Sequence, residues 1–292
     1  MRKTDVTVGV LNYKTPEFLQ KSLASIFKYT KGLQFEVCVV DNGSKDESVN
    51  LVRTNFSKVK LIVNSQNLFA TVGYNQILKS AEGRYCLVMN ADIEFLGNVV
   101  KSLLSFLKRN KDISAVSCRQ ITPDGKTDNT CSRFPTPIIE FFESCLFARF
   151  FRNEKLIGWY RYSGWSRKNN RKVDVIPDTI LLARTEVLAK IGFYDEGMDL
   201  FFMENDLCLR LKRAGFSVWH LGTTGVLHHR GASTLKFTPK QMYKFYEHDM
   251  LYYYKKHFGF WWWLFLKTVF YSNSMYYLFW PAWLLIRRKI LK

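Results

Sequence analysis

Four places in this 292-residue sequence carry side chains that could do chemistry. Asp41 closes the apolar run 35–40, and Asp92 follows the run Tyr85 to Met89 after Asn90 and Ala91. Glu204 and Asp206 stand just before Leu207-Cys208-Leu209-Arg210, and His228-His229 ends a run begun by Val226-Leu227. The chain is organised around the Asp92 run. Five successive apolar residues predict a strand buried on both faces. A carboxylate at its end reaches the carboxyl edge of a sheet, where ligands of open α/β sheets collect. An oxygen ligand there can hold a hard divalent cation, and such cations hold phosphates. Read alone, Asp92 is better taken as the start of a turn, and an isolated histidine pair is more often structural.

The elements that must position these residues follow in order. Strands are expected at 6–11, 35–40, 59–63, 85–89 and 113–118. Helices are expected from Thr15-Pro16 to about Phe27, after Ser44, from about Tyr74 to Ala81, and over 99–107. Ser44 and Glu47 have the spacing of a capping box. Strand–helix alternation with short loops predicts a mostly parallel sheet flanked by helices. Further on, 173–184 reads as a strand interrupted by Pro177-Asp178. A helix opens at Phe201 and ends at Gly215. Short strands are expected at 218–220 and 226–229, and Thr238-Pro239 with Gln241 starts another helix. No glycine-rich dinucleotide fingerprint or Walker A sequence is present, which disfavours ordinary dinucleotide and P-loop folds.

The net charge of +18 favours anionic partners. The six cysteines show no CxxC spacing, and Cys38, Cys86 and Cys118 lie in apolar runs, so they read as reduced core residues of a cytosolic protein. The amino terminus passes directly into a strand-like run, without a signal-peptide pattern. Residues 119–172 are irregular and basic (Arg149, Arg152, Lys155, Arg161, Arg167, Lys168, Arg171, Lys172), which fits either a solvated face or a phosphate- or membrane-facing surface.

Six ordered motifs now combine: Asn12-Tyr13; Val40-Asp41-Asn42-Gly43-Ser44; Asn67-Leu68-Phe69-Ala70 with Asn75; Met89-Asn90-Ala91-Asp92; Glu204 to Arg210; and His228 to Ser233. In these the chain resembles the family-2 inverting glycosyltransferases of the GT-A fold, in their rhamnosyltransferase-like branch, over residues 4 to about 235. The resemblance implies a Rossmann-like α/β domain over 1–235 and a donor site of Asn12, Asp41, Asn42, Asn67, Asn75, Asn90 and Asp92. Asp41 would accept from the N3–H of uracil or thymine. Asp92, last acid of the family's DXD-type motif, would bind Mg²⁺ or Mn²⁺ with His228, His229 being the reserve. Only this last carboxylate of the motif is kept. Glu204 falls where the family has its general base, with Glu for the usual Asp. Asp206, two residues on, would be a first-turn charge against the helix dipole. Asp178, before the late strand, is either an acceptor contact or a turn residue.

Residues 236–292 read as a helical membrane-associating segment. Trp261-Trp262-Trp263 and later aromatics suit a membrane interface, and Arg287-Arg288-Lys289 an anionic inner leaflet. Lys267, Ser272-Asn273-Ser274 and Pro281 break any clean span. The expectation is a metal-dependent enzyme on the cytoplasmic face of the membrane. It would move rhamnose from dTDP-rhamnose, or a hexose from a UDP-sugar, to a hydroxyl of a lipid-linked glycan in cell-surface polysaccharide assembly. The alternatives are a nucleotidyltransferase of similar fold, which would carry a glycine-rich basic loop after the first strand, and a basic nucleic-acid-binding protein. No nucleic-acid motif supports the latter, and nucleic acid is not an expected partner.

Overall fold

The structure, a computed structural model, describes residues 4–145 and 153–272. The expectations on Arg149, Arg152, Asn273-Ser274, Pro281 and Arg287-Arg288-Lys289 lie outside the described residues. One nine-stranded sheet runs through the molecule. Its first half is parallel: β1 (Val6–Asn12) lies between β2 (Phe35–Asp41) and β4 (Tyr85–Asn90), with β3 (Lys60–Val63) beyond β2. β1, β2 and β4 are mostly β-branched and apolar because both faces are covered, whereas β3 at the edge is exposed at both ends. Their register sets Asn12 opposite Asp41 and Leu11 opposite Asn90, so the polar strand ends share one edge.

The second half departs from a mostly parallel sheet. β8 (Ile180–Arg184) runs antiparallel to both β4 and β6 (Ile113–Ile121). β9 (Ser217–His228) is parallel to β6 and antiparallel to β5 (Ile93–Phe95) and β7 (Arg171–Val173). The two short strands expected at 218–220 and 226–229 are thus one strand, irregular in register between Cys118 and Arg119 of its partner. The expected strand over 173–184 splits into β7 and β8, since Pro177 offers no ladder N–H.

On one face α1 (Pro16–Tyr29), α2 (Ser48–Asn55) and α4 (Val99–Arg109) flank a core containing Leu23, Val39, Leu87 and Leu103. On the other, α3 (Phe69–Ser80), α7 (Thr185–Lys190) and α8 (Met203–Arg213) flank one containing Tyr74, Ile77, Val88 and Leu207. α3 begins five residues earlier than expected, with Phe69 in the left-handed region at φ 62°. The Ser44/Glu47 capping box does not form. α2 starts at Ser48 without a side-chain cap, and Ser44 bonds to Asp41 instead.

α5 (Pro137–Ser144) and α6 (Glu154–Tyr160) lie in the irregular stretch. The chain closes with α9 (Pro239–Phe258), which has the expected Thr238/Gln241 capping box, and a helix over 260–272. Met250, Tyr253 and Tyr254 of α9 pack with Leu266 and Phe270 against Met198 and Phe202. Glu140 of α5 accepts from Tyr246 Oη at 2.9 Å and Tyr254 Oη at 3.4 Å, so α9 grips α5 as well. All six cysteines are free thiols, five of them buried.

Candidate active site

Two clefts open along the polar edge. The first, of about 670 Å³, is lined by Tyr13, Lys14, Gly43, Ser44, Asn67 and Lys236, among others. Beneath its lining Asp41, 1% exposed, takes N–H from Asn12 Nδ2 at 2.8 Å and O–H from Ser44 Oγ at 2.6 Å on Oδ2, and the Ser44 N–H at 3.0 Å on Oδ1. Asn12 is equally committed, its Oδ1 accepting from Thr15 at 2.7 Å. Asn42 bonds Asn67 Oδ1 at 2.8 Å and the Phe69 carbonyl at 2.9 Å. These groups fix the cleft's shape. Gly43 adopts φ 75°, and a Cβ there would lie 2.5 Å from the Gln66 backbone, so only glycine lets the loop close. Asn75, expected at the donor, is instead buried under residues 194–196. It donates to the Tyr194 carbonyl and to Glu196, and accepts from the Tyr194 N–H. A side chain with its donors and acceptor so occupied is a structural brace.

At the end of β4, Asp92 is 5% exposed, and its Oδ1 has no hydrogen-bond partner among the described residues. His228 Nε2 lies 3.7 Å from that oxygen, and His228 Nδ1 is also unpartnered. Burial holds the His228 imidazole below its ordinary pKa, outweighing the Asp92 carboxylate, which favours the neutral ring, the form that ligates. A buried carboxylate oxygen and an imidazole nitrogen left without partners this close fit a hard or borderline divalent cation such as Mg²⁺ or Mn²⁺. His229 does not share this position: its Nε2 meets Glu94 Oε1 at 2.6 Å, and only its backbone N–H reaches Asp92. Alternate residues of a strand end point to opposite faces, so the reserve ligand is turned away. Asn90 accepts from Tyr74 Oη at 2.5 Å, a hydroxyl that also lies 3.4 Å from the Asp178 carbonyl.

The second cleft, of about 720 Å³, is lined by Tyr160, Arg161, Trp165, Ile176, Pro177 and Glu204, among others. Burial, and after it the Asp178 carboxylate, pushes Glu204 up to about 8; burial lifts Asp178 itself to about 6. A carboxylate poised near neutral pH at a cleft wall is suited to take a proton.

Glu204 is presented by an unusual turn. Phe202, just before α8, sits in the left-handed region at φ 58°, which a bulky residue avoids. Buried Asp249 of α9 compensates by accepting the N–H groups of Asp199 at 2.9 Å and of Leu200 and Phe201 at 2.8 Å. Asp199, His248 and Asp249 bring potential ligand atoms within 4.8 Å of one another, but these bonds already occupy Asp249.

Asp206 is neither a base nor a simple first-turn charge. Its fully buried carboxylate meets Arg210 at 2.6 Å, Lys256 at 2.6 Å and His257 at 2.8 Å. It sits two residues past Glu204 on a helix, and so on another face. There it locks α8 to α9, its pKa held well below the ordinary value by His257 and the two cations despite burial. Sequence reasoning missed Asp249, Glu140 and Tyr74, whose bonds across the fold reach 48 to 50, 106 to 114 and 16 to 104 residues away. No local pattern marks such pairs. It also missed Asp128, which the turn after β6 brings to within 4.0 Å of His228 Nδ1.

Residues 7–184 match Glycosyl transferase family 2. An N-acetylglucosaminyl-diphospho-decaprenol L-rhamnosyltransferase of Mycobacterium tuberculosis is 24% identical over 251 residues, which cover 79% of this chain and 78% of that one. The mannosyltransferase PcManGT from Pyrobaculum calidifontis, in complex with GDP-Man and Mn²⁺, superposes with a TM-score of 0.58 at 14% identity, over 87% of this chain and 64% of its own. GalNAc-T7 with UDP, GalNAc and Mn²⁺ gives 0.57 at 13% identity, over 77% and 44%. The chain spans less than two thirds of either solved chain, and the likeness to them is one of fold, the GT-A arrangement of a mixed sheet between helices.

Proposed function

Since the chain belongs to glycosyl transferase family 2, we propose that it is an inverting, metal-dependent transferase taking rhamnose from dTDP-rhamnose, or a hexose from a UDP-sugar, to a hydroxyl of a lipid-linked glycan. The observation that carries this reading is the division of labour between a buried carboxylate and a half-buried one. Asp92 keeps an unpartnered oxygen beside His228, while Glu204 is raised to about 8 at the wall of a separate cleft. The nucleotide lies in the cleft of Tyr13, Lys14 and Lys236. Asp41 Oδ1, which among the described residues accepts the Ser44 N–H alone, keeps a lone pair for the N3–H of uracil or thymine. Asp92 and His228 would hold Mg²⁺ or Mn²⁺, which supplies positive charge for a departing diphosphate. Glu204 takes the proton of the acceptor hydroxyl as its oxygen bonds to the anomeric carbon, and the bond from that carbon to the diphosphate oxygen breaks. Attack opposite the leaving group inverts the centre. Asp178 sits beside Glu204 on the acceptor side.

A lipid-linked acceptor calls for a membrane surface. No helix of the described residues is long and apolar enough to cross one. The helix over 260–272 buries Leu266 and Phe270 against α9 and exposes Phe260, Leu264, Phe265 and, at 78%, Trp261. Such a face suits an interface-lying segment at the cytoplasmic leaflet, with 1–235 as the transferase domain and 236–292 as the membrane-associating part. The test is a donor screen: purified protein, Mn²⁺ or Mg²⁺, a panel of nucleotide sugars, and detection of nucleoside diphosphate release. Release from a dTDP- or UDP-sugar that chelator abolishes is expected. Release from none of the panel, or full release in chelator, overturns the reading.

A further inference from the structure

His228 lies edge-on between two carboxylates. Nε2 faces Asp92 Oδ1 at 3.7 Å, and Nδ1 faces Asp128 Oδ2 at 4.0 Å. Asp128 is 9% exposed. The tight turn after β6 places it: Thr122 N–H bonds the Lys126 carbonyl at 2.9 Å, and Asp128 N–H bonds the Gln120 carbonyl at 2.8 Å. Arg230 grips Asp128 by both arms of its guanidinium, through Nε at 2.7 Å and through Nη2. This fork leaves Asp128 Oδ2 a second lone pair.

We infer that Asp128 is a positioning residue, which takes the Nδ1–H of His228 and so aims Nε2 at the cation site shared with Asp92. Three observations support it. His228 Nδ1 is buried with no partner among the described residues, a state that a native interior rarely leaves standing. The acid facing it is Asp128, and a ring shift of about an ångström makes a hydrogen bond of ordinary length. Asp128 Oδ2 takes the Arg230 Nε–H and has a further lone pair for Nδ1–H. Histidines that ligate metals are commonly fixed in this way by a carboxylate on the other nitrogen, which sets the tautomer and raises ligand basicity.

The inference rests on the proposed metal site, and Mn²⁺ binding tests the two separately. Free Mn²⁺ is followed by electron paramagnetic resonance in the presence of UDP, with Asp92→Ala as the reference for a lost ligand and UDP without protein as the blank. Asp128→Asn is expected to weaken Mn²⁺ binding by ~10- to 100-fold. Arg230→Gln removes the staple on the 229–233 loop and leaves the carboxylate beside His228, so it is expected to stay within about threefold of wild type. Equal losses in the two variants would show that Asp128 acts only as a loop staple. Wild-type affinity in Asp128→Asn, with binding lost in Asp92→Ala, also overturns the inference and leaves the metal site standing. No Mn²⁺ uptake by wild type beyond the UDP blank overturns both.

Discussion

The two clefts are built in opposite ways. The first cleft and the Asp92 site come from ends of adjacent parallel strands and the loops directly after them: Asn12 ending β1, Asp41 ending β2 with Asn42 to Ser44 after it, Asp92 after β4. Each group is fixed largely by its neighbours in one register. The Glu204 cleft is assembled from α6, the loop before β8, the start of α8 and, behind them, α9. Its key carboxylate depends on Asp249, 45 residues further on by number, holding the turn that precedes it. A site made at strand ends is fixed by the sheet. A site made between helices is fixed by whatever clamps them, and here that clamp is α9.

The largest effect should come from the cleft that helices build. Glu204→Gln keeps the shape of the side chain and loses the proton acceptor. It is expected to lower kcat by ~10²- to 10⁴-fold with UDP binding unchanged by calorimetry. A variant of near wild-type kcat would move the base elsewhere in the cleft.

Next comes the clamp itself. Asp206→Asn leaves Arg210, Lys256 and His257 gathered around a neutral group. Breaking a buried ion pair in this way costs about 3–5 kcal/mol, read as a lowered urea midpoint. The depressed pKa of Asp206 gives the sign of its pH dependence. Its contribution is fully present above the ordinary value of 3.8 and is lost as pH falls from there through the lower folded value. Wild type should therefore lose stability in acid over that window, and Asp206→Asn should lose less. An unchanged urea midpoint would mean that α9 is held by its aromatic contacts alone.

Legibility in the sequence follows the same divide. Val6–Asn12, Phe35–Asp41 and Tyr85–Asn90 announce themselves because strands buried on both faces are unbroken apolar runs, and the acids that end them stand out. Glu204 was legible through its distance from Leu207 to Arg210, although the left-handed Phe202 that presents it was not. Asp206 misled because a first-turn acid looks alike whether it faces water or Arg210, Lys256 and His257, 4 to 51 residues away. Of the histidine pair the resemblance favours His228 and keeps His229 in reserve, and the structure turns the His229 ring to Glu94.

A third, smaller effect concerns pH and the Glu204 cleft alone. A base must be ionised to act, and Glu204 is pushed up to about 8 by burial and by Asp178. Activity should therefore rise with pH up to about 8, falling roughly tenfold per unit below it. The pair titrates as a unit. Asp178→Asn removes the neighbouring charge and should move that limb to lower pH. A limb unmoved by this substitution would separate the two carboxylates.

The smallest effect sharpens the nucleotide side, where sequence and structure disagree over one pair of residues. A capping box would make Ser44 and Glu47 reciprocal partners, and losing either would cost a similar amount, about 0.5–2 kcal/mol. In the structure their roles are unequal. Ser44 is 3% exposed, donates to Asp41 Oδ2 at 2.6 Å and accepts the Lys14 N–H at 2.9 Å. Glu47 is exposed and makes no side-chain bond at the start of α2. Ser44→Ala strands a backbone donor beside the cleft and should cost roughly 1–3 kcal/mol, with weaker UDP binding because the Lys14 and Gly43 loops lose their common tie. Glu47→Ala should stay within about 0.5 kcal/mol. Matched urea titrations of the two variants decide it. Equal losses would restore the capping box and place the start of the helix at Ser44, whereas a loss confined to Ser44→Ala assigns that hydroxyl to the floor of the nucleotide cleft.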